Sequence, residues 1–183
     1  MKASIVAVCA AAVGLVSAQT PDGFTPSVAT HLDVTFGSKA VSPAGTSLAK
    51  EETAKLPTIG FAAANATETY LFVMIDLDVP SGTTRNTLLH AMIQDFKVGS
   101  GGATTLTSAA TSPASYMGPA PPKENPAHPH HYVEVLFVQP AGFAVPASQA
   151  SVVKSRIGFK LADFATAAHL GEPVAANYFM VTG

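Results

Sequence analysis

Hydrophobic and polar positions along this chain alternate with period two or run unbroken for short stretches, and one stretch alone repeats with the period of a helix. From Thr30 to Phe36, the apolar Leu32, Val34 and Phe36 alternate with Asp33 and Thr35, which is the pattern of a strand with one buried face. Gly37 ends it. Segment 38–57 carries Pro43, Gly45 and Pro57 and reads as a meandering connection with a short edge strand at most. Tyr70 to Ile75 is a continuous apolar run rich in aromatic and β-branched residues, short enough for a strand buried on both faces; Asp76 then breaks the apolar character abruptly. His90 to Phe96 is a further strand. Tyr132 to Gln139 is the strongest, with six hydrophobic residues in eight. Lys160 to His169 predicts the helix: Leu161, Phe164, Ala165 and Ala168 share a face, Gly171 can end it and Pro173 prevents continuation. Val174 to Val181 reads as a closing strand.

The tract between Gly99 and Pro129 is rich in Gly, Ala, Ser, Thr and Pro and almost uncharged. It predicts loop, because Pro removes ladder donors and Gly raises the entropy cost of regular structure. A loop of that length in a small domain is usually functional or mobile. Strands dominate, no strand–helix alternation suggests a doubly wound sheet, and no internal repeat is present, so the expected class is mainly β.

Residues 1–18 have the features of a secretory leader: Lys2, an apolar run from Ala3 to Val16, and small residues ending at Ala18. That run falls well short of the roughly 20 residues a helix needs to cross a bilayer, and no later segment comes closer, so no transmembrane segment is expected. Residues 19–183 then form one domain, expected to be a monomer. Its only cysteine, Cys9, lies in the leader, so the core must hold without disulfides. With a formal charge of −2 and no run of Lys or Arg, nucleic acid is disfavoured as a partner, since neutralising phosphates needs clustered basic residues. Asn65-Ala66-Thr67 is a glycosylation sequon, usable in a secretory compartment.

Two polar pairs sit at strand ends. In extended backbone Asp76 and Asp78 share one face, and so do His130 and Tyr132; Pro80 biases Val79 toward extended geometry, and His90 heads another strand. Either these are ordinary polar residues where apolar strands meet water, or they converge on one rim. Convergent carboxylates could raise the histidine pKa values and make each imidazole a charged donor, so that anion affinity would be full in mild acid and decline as the pH rises. His128, His130 and His131 crowd together and imidazole suits zinc, but His130 and His131 point to opposite faces of a strand, so at most two of the cluster could share an ion. No G-x-S-x-G or H-E-x-x-H motif is present, so general acid–base hydrolysis is a lesser alternative.

IDLDVP followed by Arg85 and His90, then GPAPP and PHHYVEVLF, resembles the two signature regions of the phosphatidylethanolamine-binding protein family, D-P-D-x-P…H and G-P-x-P-P…G-x-H-R-Y. Asp76, Asp78 and Pro80 match the first; Gly118, Pro119, Pro121, Pro122, His130 and Tyr132 match the second. LDVTFG and GEPVAANYF resemble the family's opening and closing strands, so the likeness spans nearly all of residues 19–183. His128 and His131 stand where the family has Gly and Arg. The resemblance implies a Greek-key β-sandwich of two antiparallel sheets with a short helix in the C-terminal region. It also implies a rim pocket of Asp76, Asp78, His90, His130 and Tyr132, lined by Pro80, Gly118 and Pro119, with a cis Val79–Pro80 bond. The function so implied is non-catalytic binding of a small phosphate-bearing or other anionic headgroup, with no cofactor and no metal. Family members that inhibit a serine carboxypeptidase or a kinase imply a protein partner as the alternative, and a secreted chain fits the protease better.

Overall fold

The computed structural model describes residues 18–99 and 104–183; the expected leader therefore lies outside the described residues up to position 17. The strands are β1 (Asp33–Phe36), β2 (Lys39–Ala40), β3 (Thr46–Ser47), β4 (Thr58–Gly60), β5 (Tyr70–Ser81), β6 (Thr84–Val98), β7 (Thr105–Thr107), β8 (Pro129–Val138) and β9 (Ala175–Thr182), with helices α1 (Ala150–Ser155) and α2 (Leu161–Ala167) before β9. They join in the hydrogen-bonded order β2-β1-β4-β7-β6-β5-β8-β9-β3. The pairs are antiparallel apart from β3 on β9, which is parallel. The class is mainly β, as expected.

The two layers are joined through β6. Most of this strand pairs with β5, but its last residues, Lys97 and Val98, pair with β7. Between the pairs Tyr70↔Phe96 and Phe72↔Ile93 the β6 side holds one extra residue, a bulge that bends a strand and increases its twist. Asp95 lies there with φ of 61°, held by its N–H on Gln139 Oε1 at 2.8 Å and by Gln139 Nε2 donating to its Oδ1 at 2.6 Å.

The unbroken apolar run of β5 follows from burial on both faces. Tyr70, Phe72 and Met74 face a core shared with Leu32, Val34, Phe36 and Ile59 of the other layer. Leu71, Val73 and Ile75 face a second core, covered by Val153 of α1 and by Phe159, Leu161 and Phe164 at α2. Fully burying a large apolar side chain contributes roughly 1.5–3 kcal/mol, so the two cores together can hold the fold without cross-links. Among the described residues no helix is long and apolar enough to cross a membrane.

Several details depart from the sequence expectations. The tract 99–129 is not all loop, because β7 lies in it and Ala114 bridges to Met92. Helix α2 is ended by His169 with φ of 53°, not by Gly171, while Leu170 N–H caps the Ala165 carbonyl at 2.9 Å. Helix α1 buries only Val153, too little to leave a periodic trace.

One polar residue of the core has no polar partner for its carboxyl oxygens. Glu134 of β8 lies between Tyr132 and Leu136 on the face of the first core, opposite Asn177 of β9. It is fully buried and neither carboxyl oxygen has a hydrogen-bond partner. Burial pushes its carboxyl well above the usual carboxylate range. Asn177, by contrast, donates to the carbonyls of Leu32 and Val41 at 2.9 and 3.0 Å.

Candidate functional site

Beyond Ile75 the even-numbered face of β5 continues as Asp76, paired with Tyr132 of β8 and Leu88 of β6. The next registered pair with β6 is Val79↔Asn86, so β5 takes three steps where β6 takes two. An inserted residue of this kind flips the side chains that follow. Val79 therefore joins Asp76 on the inner face, and Asp78 turns away. The expectation that Asp76 and Asp78 share a face holds for an ideal strand and fails here because of the bulge.

Asp76, His90, His130 and Tyr132 do come together. They line a cavity of about 240 Å³ whose wall also includes Val79, Leu88, Met117, Gly118, Ala120, Pro121 and Pro122. All four polar side chains are buried. His130 Nδ1 donates to Asp76 Oδ2 at 2.8 Å, and Asp76 Oδ1 accepts the N–H of Asp78 at 2.8 Å. The His90 and Tyr132 rings meet edge-on at 5.1 Å, and Tyr132 stacks on Phe179 at 5.2 Å. Burial and the Asp76 carboxylate push the Tyr132 phenol far up, so it remains a neutral hydroxyl.

His90 differs from expectation in its charge. Burial holds its pKa below the ordinary imidazole value of 6.5, outweighing the Met117 carbonyl and the Asp76 carboxylate. The neutral tautomer is set by geometry: Nδ1 lies 2.7 Å from the Met117 carbonyl oxygen, which can only accept, so Nδ1 carries the proton. Nε2 is then a bare lone pair, buried and without a partner. Of the two histidines expected to be charged donors, His90 is instead an acceptor.

Asp78 is engaged elsewhere. It accepts the His131 N–H at 2.7 Å and His131 Nδ1 at 2.8 Å on Oδ2, and His128 Nε2 at 3.0 Å on Oδ1. Burial pushes this carboxyl up, but those hydrogen bonds outweigh it and hold the pKa well below the usual carboxylate range. Asp78 in turn raises the His131 imidazole. The two histidines that stand in place of the family's Gly and Arg thus fasten the start of β8 to the end of β5, outside the cavity.

Of the remaining expected lining residues, Gly118 is in the wall, where a Cβ would come within 3.2 Å of the Thr53 carbonyl and Ala54 Cα. Pro119 is buried behind that wall and Pro80 is exposed, paired with Arg85; neither lines the cavity. The cis bonds among the described residues are Thr25–Pro26, Ser42–Pro43 and Asn125–Pro126, so Val79–Pro80 is trans. Asn65 lies exposed in the turn before β5, its Oδ1 accepting from Thr67 N–H at 3.0 Å. Among the described residues no group of three or more His, Cys, Asp or Glu is placed to hold a metal ion.

Sequence reasoning missed Glu124. Its Oε1 lies 3.1 Å from His130 Nε2, and its Oε2 lies 2.8 Å from Arg85 NH1. Arg85 also donates to the Asp78 carbonyl at 3.0 Å. Burial pushes the Glu124 carboxyl up, but the His130 and Arg85 contacts outweigh it and lower its pKa. Nothing around Glu124 in PPKENP signals this role, because the contact spans 39 positions to Arg85.

The family profile described as phosphatidylethanolamine-binding protein matches residues 29–179. A relative from Talaromyces stipitatus, Phomoidride biosynthesis cluster protein N, is 36% identical over 179 residues, spanning 88% of this chain and 89% of that protein. Among solved structures, a carboxypeptidase Y inhibitor complexed with the cognate proteinase aligns with a TM-score of 0.65 at 25% identity, over 82% of this chain and 81% of that one. A phosphatidylethanolamine-binding protein from Plasmodium vivax aligns with a TM-score of 0.53 over 82% of this chain and 83% of that one. Its identity is 16%, so that likeness is one of fold.

Proposed function

The chain belongs to the phosphatidylethanolamine-binding protein family, and from that premise we propose that its cavity binds a small headgroup bearing both a phosphate and an ammonium, without performing chemistry on it. The observation that carries the reading is the His90 lone pair: Nε2 is buried, unpartnered, and belongs to a ring lining the cavity. An orphaned buried acceptor costs about 1–3 kcal/mol, which a ligand donor would recover. A phosphodiester has no proton to give, so the ammonium is the natural donor, with the Asp76 carboxylate beside it. The His130 imidazole is the complementary hydrogen-bond donor for the phosphate, and Val79, Leu88 and Pro121 offer apolar contact to the methylenes between. Export through the expected leader, with glycan on Asn65, belongs to the same reading.

Calorimetric titration at neutral pH tests it. O-phosphoethanolamine is expected to bind one to one, and more tightly than inorganic phosphate or ethanolamine alone. Because burial lowers the His90 pKa, its share of the affinity should persist through neutral pH and be lost only in acid, once the ring is protonated below the ordinary imidazole range. Absence of saturable binding by any of the three removes the reading.

A second reading, inhibition of a serine carboxypeptidase, is supported by the 25% identity and the extent of the likeness to the carboxypeptidase Y inhibitor. Purified chain that leaves the peptidase rate of such an enzyme unchanged at saturating concentration would eliminate it.

A further inference from the structure

We propose that Glu124 is an internal anion that occupies His130, and that an anionic ligand must displace it to reach that imidazole. The inference rests on the headgroup reading above and names what regulates affinity at the same site.

An imidazole has two ring nitrogens and at most two N–H groups. His130 presents Nδ1 to Asp76 Oδ2 at 2.8 Å and Nε2 to Glu124 Oε1 at 3.1 Å. Both partners are carboxylate oxygens, so His130 satisfies them together only when doubly protonated, and then it has no donor left. It is 1% exposed, so a ligand can reach it only through the cavity that its ring lines. A phosphate oxygen presents the same charge and the same acceptor geometry as Glu124, so the two compete for Nε2. The Asp76 bond is not the one to yield, since that carboxylate is itself buried and also holds the Asp78 N–H.

Glu124 is placed for this exchange. It lies two residues beyond Pro122, which with Pro121 forms part of the cavity wall, and the Pro121 carbonyl is held by Lys50 Nζ at 2.9 Å. The wall is therefore anchored upstream of Glu124, so the exchange asks only the Glu124 side chain to turn from His130 toward Arg85. Arg85 NH1, within 2.9 Å of one Glu124 oxygen and 2.8 Å of the other, would retain the carboxylate after it leaves His130, so displacement does not strand a charge. With His130 Nε2 engaged by Glu124 and Glu124 held by Arg85, low affinity for simple anions is expected until Glu124 is removed.

The test is phosphate affinity by calorimetry at constant ionic strength for the full chain, Glu124→Ala and Glu124→Gln, with the exposed Asp163→Asn on α2 as a control for net charge. Glu124→Ala is expected to bind inorganic phosphate roughly tenfold more tightly, the size of one charge-assisted hydrogen bond. Glu124→Gln should give a smaller gain, because its amide oxygen still accepts but carries no charge, and Asp163→Asn should give none. If the wild-type chain binds phosphate and Glu124→Ala binds it no better, or if Asp163→Asn gains equally, the inference is overturned and the anion site stands. If no variant binds phosphate at all, the anion site itself is wrong and the inference goes with it.

Discussion

Replacing Glu134 with methionine is expected to make the protein more stable, by a margin that widens as the pH rises. The side chain is fully buried among apolar neighbours with neither oxygen paired, and burial raises its pKa well above 4.5. An unsatisfied buried polar group costs about 1–3 kcal/mol, and methionine fills a similar unbranched volume without that cost. The pH dependence has a definite sign. A carboxyl whose folded pKa lies above its unfolded value leaves stability highest below 4.5, and stability falls as the pH climbs from 4.5 toward the raised folded pKa. The slope in that window approaches about 1.4 kcal/mol per pH unit. Glu134→Gln separates the two contributions, since it abolishes the slope while keeping a buried polar group. Urea midpoints measured for the three proteins between pH 4 and 8 check this. Parallel curves for wild type and Glu134→Met would mean that Glu134 is not held as a neutral buried acid.

The second large effect is expected at His130. His130→Ala should lower stability by about 3–5 kcal/mol, the usual consequence of leaving one member of a buried pair uncompensated. The pair here is His130 with Asp76, 1% and 3% exposed and 2.8 Å apart. Headgroup affinity should fall at least about a hundredfold, because the imidazole that donates to the phosphate is lost. The double variant Asp76→Asn/His130→Gln restores neutral hydrogen-bonding partners and should recover most of the stability while remaining unable to bind. Binding by the double variant at wild-type strength would assign this pair a structural role alone.

Much of the fold is legible in the sequence, for identifiable reasons. The continuous run from Tyr70 to Ile75 is visible because β5 packs on both faces, and the helix at 161–167 because Leu161 and Phe164 face one core. The convergence of Asp76, His90, His130 and Tyr132 was also accessible, since three of them continue the parity of strands whose apolar faces are plain. Asp78 was misplaced because a bulge leaves no mark in a period-two pattern; LDV reads the same whether or not a residue is inserted. The charge of His90 depends on burial and on the Met117 carbonyl, 27 positions away, and neither is encoded locally. Glu124 and Arg85 meet across 39 positions through a proline-rich segment whose path sequence reasoning does not supply. The positions that depart from expectation are thus those set by irregular backbone, while Asp76, His130 and Tyr132 continue the pairing of β5 and β8 and meet as strand parity implies.

The central claim is that the buried His90 Nε2 lone pair receives a donor from a headgroup in the cavity. It is tested most directly by following the side-chain ¹⁵N signals of His90 while O-phosphoethanolamine is added at neutral pH. The expected starting point is a neutral ring protonated on Nδ1, with Nε2 at the position of an unprotonated nitrogen. On saturation Nε2 should shift toward the hydrogen-bonded or protonated position while Nδ1 stays in place. If both nitrogens remain unmoved at saturating ligand, or if the free protein already shows Nε2 protonated, the account of this cavity is contradicted.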